Sequence, residues 1–203
     1  MTSRPYRSAV RQDAQAETMR RIVTATVALH AEKGPLTTTH AEIAERAGVS
    51  IPTVYKHFPT RADLLPHCMA EARRGAPGID DAAILAEPDA ARRIARLVEA
   101  LCALHEYFAP WLRWSYADSA QLPELAAALK AREAERGALI RAAIAPAFHG
   151  RPPRAQLALC STLLDFPAWH RLLQELGDPA SVRRAITVAL QLIVIQHKER
   201  KQS

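Results

Sequence analysis

Apolar residues recur at three- and four-residue spacing along most of the chain, the period of amphipathic helices. The first stripe, Met19, Ile22, Val23, Thr26, Leu29 and His30, predicts a helix from about residue 14 to 33, stopped by Gly34-Pro35. Thr39 with Glu42 three positions later forms a capping-box pattern, which opens a short helix over 40–47 that ends at Gly48. Ser50 opens another over 51–57, with Pro52 tolerated in its first turn. Thr60 opens a fourth, to about residue 74, which Pro66 is expected to bend or loosen.

Gly75-Ala76-Pro77-Gly78 reads as a linker. Beyond it the pattern predicts helices at about 89–108, 110–119, 123–148, 153–176 and 180–198, with a kink or break at Pro167. In the last, Ile186, Leu190, Ile193 and Val194 form one stripe, and Val188, Leu192 and Ile195 widen it. A helix apolar over so much of its circumference must be covered on more than one side.

Composition agrees with an all-α fold. Alanine is abundant and there are only 7 Gly among 203 residues; alanine favours helix and glycine opposes it. No uninterrupted apolar run is long enough to span a membrane, and the N-terminus lacks the apolar core of a secretory signal. Cys68, Cys102 and Cys160 form no CxxC pair, so neither a disulfide scaffold nor a metal site is expected; the chain reads as soluble, in a reducing compartment.

Charge is unevenly placed. Residues 1–61 hold nine Lys/Arg against five acids, so they carry +4 of the formal +6, while the other 142 residues carry +2. That suggests a polyanion-binding head on a near-neutral body. Three segments follow: a flexible basic arm over 1–13, a head over 14–60 and a helical body over 61–203.

The stretch His40–Phe58 is the most specific in the chain. A helix–turn–helix needs a small residue where its helices cross, and Ala44 supplies it. It needs a residue comfortable at positive φ in the turn, which Gly48 supplies. Val54 then packs the second helix back on the first, with Ile43, Ala47 and Val49 filling the inward positions. Ile51, Pro52, Thr53, Lys56 and His57 are left facing outward, as in a helix that docks into the major groove of DNA.

Residues 22–65 resemble the N-terminal domain of the tetracycline-repressor (TetR) family of bacterial transcription regulators. The matching residues include Ala25, Glu32-Lys33-Gly34, Thr39, Ile43-Ala44, Ala47-Gly48-Val49-Ser50, Thr53, Tyr55, Phe58 and Leu64-Leu65. The resemblance implies a three-helix DNA-binding domain on a helical-bundle body that binds a small inducer and dimerises through its last two long helices. It implies that Thr39, assisted by Thr38, holds a phosphate at a helix N-terminus, and that Ser50, Ile51, Pro52 and Thr53 read bases. Tyr55, ring in the core and hydroxyl outward, would reach the backbone beside Lys56 and His57, with Arg61 adding a further phosphate contact. His30, His40 and Ala41 depart from the family's pattern; the histidines are expected to be satisfied or half-exposed rather than metal ligands. Ala41 removes one expected cation, which Arg4, Arg7 and Arg11 of the arm could replace along the minor groove.

For the body the candidate ligand-binding residues are Tyr107, Trp111, Trp114 and Tyr116 from an aromatic-rich run, with Cys102, His105, Asp165, Trp169 and His170. They suit a small hydrophobic or aromatic ligand. No catalytic constellation, phosphate loop or cofactor motif is present, so the chain reads as a non-enzyme without cofactor or metal. The expected function is a homodimeric, ligand-responsive repressor in the cytoplasm, bound to a pseudo-palindromic double-stranded DNA operator. The alternative is a helical interaction module that no longer reads an operator.

Overall fold

Helix ends in the first quarter of the chain fall where capping side chains and glycines stand. In the computed structural model, which describes residues 4–148 and 150–199 (side chains over 11–148 and 150–194), α1 spans Arg4–Lys33, α2 His40–Ala47, α3 Ile51–His57 and α4 Arg61–Arg74. Thr39 accepts from the Glu42 N–H while the Glu42 carboxylate accepts from the Thr39 N–H, closing the capping box. Ser50 accepts from the Thr53 N–H, and Thr60 with Asp63 forms a second capping box. Gly48 terminates α2 at φ +63°, the left-handed conformation the turn requires.

The remaining helices are α5 (Asp81–Ala86), α6 (Ala90–Asp118), α7 (Pro123–Ile144), α8 (Arg154–Leu163), α9 (Phe166–Leu176) and α10 (Pro179–Glu199), with a 3-10 turn over Ala145–Phe148. The fold is all-α, with no strand among the described residues. Several boundaries differ from the sequence pattern. Residues 4–13, expected as an irregular arm, continue α1, because Pro5 stands in the first turn, where its missing N–H has no ladder partner. α6 runs unbroken through Pro110. The predicted 153–176 helix is two, since Leu164-Asp165 separate α8 from α9 and the Asp165 carboxylate caps α9 by accepting from the Ala168 N–H at 2.8 Å.

The chain divides into two compact units. The first comprises residues 1–75 and 110–127, the second 76–109 and 128–203, so α4 belongs to the first. Its core is Ile22, Val23, Leu29, Ile43, Ala44, Val54, Phe58 and Leu64, all buried, which fits the stripe read from α1. The end of α6 is tied to α1 by side-chain N–H groups: Trp111 Nε1 donates to Val27 O at 2.9 Å, and Trp114 Nε1 and Arg113 Nη2 donate to Ala31 O.

The second unit packs Ile94, Leu97, Val98 and Leu101 of α6, Ile140 and Ile144 of α7, and Val182, Ile186 and Leu190 of α10. Arg93 is buried and fully engaged, donating to Glu87 O at 2.5 Å and Ala143 O at 2.7 Å. Arg183 of α10 pairs with Glu99 and Glu106 of α6. Val188 and Leu192 of α10 and Leu159 of α8 are more than half exposed, at 55%, 51% and 54%. The side chain of Ile195 lies outside the described residues.

Candidate nucleic-acid interface

The helix–turn–helix is braced from behind and bare in front. Val54 and Phe58, 0% and 1% exposed, fix α3 on the core. Arg21 of α1 donates through Nη2 to the Ala47 carbonyl and, at 2.9 Å, to that of Gly48, so a guanidinium holds the end of α2 and the turn. A Cβ added at Gly48 would stand 2.7 Å from that nitrogen. In front, Ser50, Ile51, Pro52, Tyr55 and Lys56 are exposed, and Thr53 and His57 are half-buried. The short α3 therefore offers apolar groups, hydroxyls and cations on one outward surface, with basic residues in its last turn.

Tyr55 is not a core ring. It is 51% exposed and lies flat on the His40 imidazole, ring centroids 4.4 Å apart and 1° between planes. His40 Nε2 in turn donates to the Phe58 carbonyl at 3.1 Å, so a histidine in the first turn of α2 both supports the tyrosine and satisfies a carbonyl just past α3. The sequence flagged His40 only as a departure, because helical periodicity does not show stacking between neighbouring helices.

Thr38 is also placed differently from expectation. It is 2% exposed and its hydroxyl donates to Gly34 O at 2.8 Å, so it has no proton to offer a phosphate. Thr39 is exposed at the N-terminus of α2, its hydroxyl shared with Glu42. Glu42 is pulled down to about 2 by the Lys33 ammonium and the two Thr39 hydrogen bonds. Arg61 is exposed, its Nη2 3.4 Å from Thr38 O. Beside it a cavity of about 20 Å³ is lined by His30, Thr38, His40 and Ile43, room for about one water. His30 is held at about 4, chiefly by burial and then by the Arg61 charge, and so is neutral. Arg11 is exposed on α1; the side chains of Arg4 and Arg7 lie outside the described residues.

The candidate ligand residues fall into both units. Trp111 and Trp114 spend their N–H groups on α1, and Tyr116 is half-buried in the same unit. Asp165 is committed as the cap of α9. In the second unit Cys102 is buried and its thiol is pushed up to about 12, burial outweighing the nearby Arg183, so it is an apolar filler rather than a nucleophile. His105, Trp169 and His170 do gather, around Phe166, with His105 and Trp169 buried and Tyr107 half-buried nearby in α6. Among the described residues no group of three His, Cys, Asp or Glu could hold a metal ion, and no helix is long and apolar enough to cross a membrane.

Residues 22–68 match the model of a family described as bacterial regulatory proteins, tetR family. None of the curated proteins compared with the chain matches it. Solved structures share the fold. A TetR-family transcriptional regulator from Mesorhizobium loti MAFF303099 superposes with a TM-score of 0.64 at 20% identity, covering 89% of this chain and 96% of that one. A transcriptional regulator from Rhodococcus sp. Rha1 gives 0.60 at 21% identity, with 88% and 96% covered. One from Aquifex aeolicus VF5 gives 0.58 at 15%, with 87% and 99% covered. At such identities the likeness speaks for the fold alone. The head over 22–68 thus matches the tetR-family model, and the chain shares its all-helical fold with these solved regulators over most of its length.

Proposed function

We propose that the chain is a homodimeric repressor that binds a pseudo-palindromic operator and releases it when a small ligand occupies the body. The observation that carries the reading is the exposed face of α3, where Ile51, Pro52, Tyr55 and Lys56 project while Val54 and Phe58 anchor the helix. Ser50, Ile51, Pro52 and Thr53 stand at the N-terminal end that enters the major groove in such docking, the apolar pair suited to thymine methyls. Lys56, His57, Arg61, Thr39 and the Tyr55 hydroxyl supply phosphate contacts around it.

Dimerisation is supported by the exposed apolar groups of α8 and α10, since Leu159, Val188 and Leu192 form a surface that a second copy would cover. The head acts with residues 1–13 as its basic extension, and the body carries ligand and partner contacts. The chain works by binding, not by catalysis, in the cytoplasm where the operator lies.

The test begins with selection of binding sites from random duplex DNA. Enrichment of a pseudo-palindrome is expected, and an unenriched pool would overturn the reading. On the selected site Thr53→Ala should change base preference, whereas Lys56→Ala should weaken all sequences alike and lower the salt slope by about one. Equal losses for Thr53→Ala on operator and random DNA would remove Thr53 from base reading.

A further inference from the structure

Three polar atoms of the second unit are shut off from solvent and meet no protein partner: His105 Nδ1 on α6, Arg136 Nε on α7 and Trp169 Nε1 on α9. Native interiors leave few such atoms, so three from three helices call for a cause. The His105 and Trp169 ring centroids are 5.8 Å apart, and Arg136 stands near enough for its charge to act on the imidazole.

Their chemistry is complementary. His105 Nε2 faces Leu164 O at 3.0 Å, and a carbonyl only accepts, so Nε2 carries the proton and Nδ1 is an acceptor. Burial holds the imidazole at about 4, with Arg136 and Arg132 adding to the effect, so Nδ1 keeps its lone pair at neutral pH. Trp169 Nε1 and Arg136 Nε can only donate. Arg136 is half-buried. Arg132, one helical turn away, lies over the Phe108 ring at 4.3 Å. Aromatic rings wall the cluster: Phe166 packs at 5.8 Å from both Trp169 and His105, and His170 stacks on Phe166 at 5.4 Å.

A cationic ligand would meet Arg136 unfavourably, and a purely apolar one would leave all three atoms unpaired. We propose that this cluster binds a small hydroxycarboxylate with a flat apolar body. The carboxylate accepts from Arg136 and Trp169, the hydroxyl donates to His105 Nδ1, and the ring lies among Phe166 and Trp169. Arg136 and His170, both half-buried, are the members nearest solvent. This names the ligand class of the body and rests on the proposed function for its regulatory meaning, though not for binding itself.

The test is calorimetry on the full chain without DNA, using 2-hydroxybenzoate, benzoate and 2-hydroxybenzyl alcohol as probes. The expected order is 2-hydroxybenzoate tightest, with each of the others at least tenfold weaker. Arg136→Gln should weaken both carboxylates tenfold or more and leave the alcohol unchanged. Its half-exposed position should keep the fold, checked by an unchanged thermal midpoint. Trp169→Phe keeps the ring and removes the N–H, and should weaken the carboxylates while keeping the hydroxyl preference. His105→Phe should make 2-hydroxybenzoate and benzoate bind alike; if that variant does not fold, Arg136→Gln decides alone. Absence of saturable binding by either acid, or carboxylate affinity unmoved in Arg136→Gln, overturns the proposal. Operator binding is measured separately by fluorescence anisotropy, so a chain that binds the acid but no operator sinks the repressor reading and leaves the site standing.

Discussion

Both units mix local and long-range hydrogen bonds, but the helix starts of the head and the interior of the second unit show the two kinds most plainly. In the first, the helix ends are fixed by side chains reaching three residues along the chain: Thr39 with Glu42, Ser50 with Thr53, Thr60 with Asp63. In the second, beside local caps such as Asp165, bonds reach across the sequence from His105 to Leu164, from Arg183 to Glu106 and from Gln191 to Ala91, a separation of 100 residues, as Trp111 and Trp114 reach α1 in the first. Short-range caps set where the helices of the head begin. Long-range chemistry makes a body whose interior depends on which distant helices happen to meet, which is where polar atoms without partners arise.

The largest effect should come from the core that both kinds of bond serve. Phe58→Ala should cost about 3–5 kcal/mol, the usual range for a large ring lost from a closed core, and remove DNA binding with it, because Phe58 anchors the end of α3. Leu190→Ala in α10 should cost about 2–5 kcal/mol by the same principle. Urea unfolding measures both. A Phe58→Ala loss below about 1 kcal/mol would mean that local capping, rather than burial, holds the head.

The same division decides what the sequence shows. The capping pairs, the positive-φ glycine of the turn and the α1 stripe were legible, because each is a pattern within a few residues whose physics is local. Residue types and spacing at 40–58 were enough to place α2, the turn and α3. Less legible was anything that depends on a neighbour from another helix. Tyr55 was expected in the core because aromatic rings usually bury most of their area; the structure gives it His40 to lie on instead. Thr38, expected to assist Thr39 at a phosphate, turns inward to Gly34 instead. Pro110 reads as a break, but α6 continues through it. Arg21 and Arg136 had no local signature at all. The role of Arg21 comes from the Ala47 and Gly48 carbonyls, which only folding brings near.

Each unit also buries one neutral histidine, which gives a pH test of comparable size on either side. His30 and His105 are both held at about 4, largely by burial, against an ordinary value of 6.5. Below pH 6.5 the unfolded chain takes up protons that the folded chain refuses, so folding stability falls as pH drops from 6.5 to about 4 and levels off beyond. Each histidine contributes roughly 1.4 kcal/mol per pH unit in the middle of that window, about 3 kcal/mol in all. Urea midpoints at pH 7, 6 and 5 should therefore decline steadily. His30→Phe and His105→Phe, each refitted for its own stability at pH 7, should each remove about half of the slope. A slope unchanged by either variant would show that the charge is relieved without unfolding.

A third, smaller effect probes the turn alone. Gly48→Ala should cost about 2 kcal/mol, since a Cβ at φ +63° is strained and also meets the Arg21 guanidinium. Arg21→Met in the Gly48→Ala background should recover part of that loss by removing the clash while keeping the strain. Recovery to the level of the Arg21→Met single variant would mean that strain contributes nothing.

The smallest effect separates capping from DNA contact at one residue. The Thr39 hydroxyl accepts from the Glu42 N–H and donates to the Glu42 carboxylate at 2.7 Å, so in the free protein its proton is already in use. Thr39→Ala should cost about 1 kcal/mol of stability, the usual loss for a cap, and this alone says nothing of DNA. Thr39→Asn restores a capping acceptor and a donor for Glu42, so its stability should lie within about 0.5 kcal/mol of the parent. The informative measurement is then operator affinity in the asparagine variant. If the hydroxyl swings from Glu42 to a phosphate on binding, Thr39→Asn should weaken every sequence alike, several-fold, with stability intact. Affinity equal to the parent would confine Thr39 to holding α2 and leave the phosphate at that helix end to its backbone N–H groups.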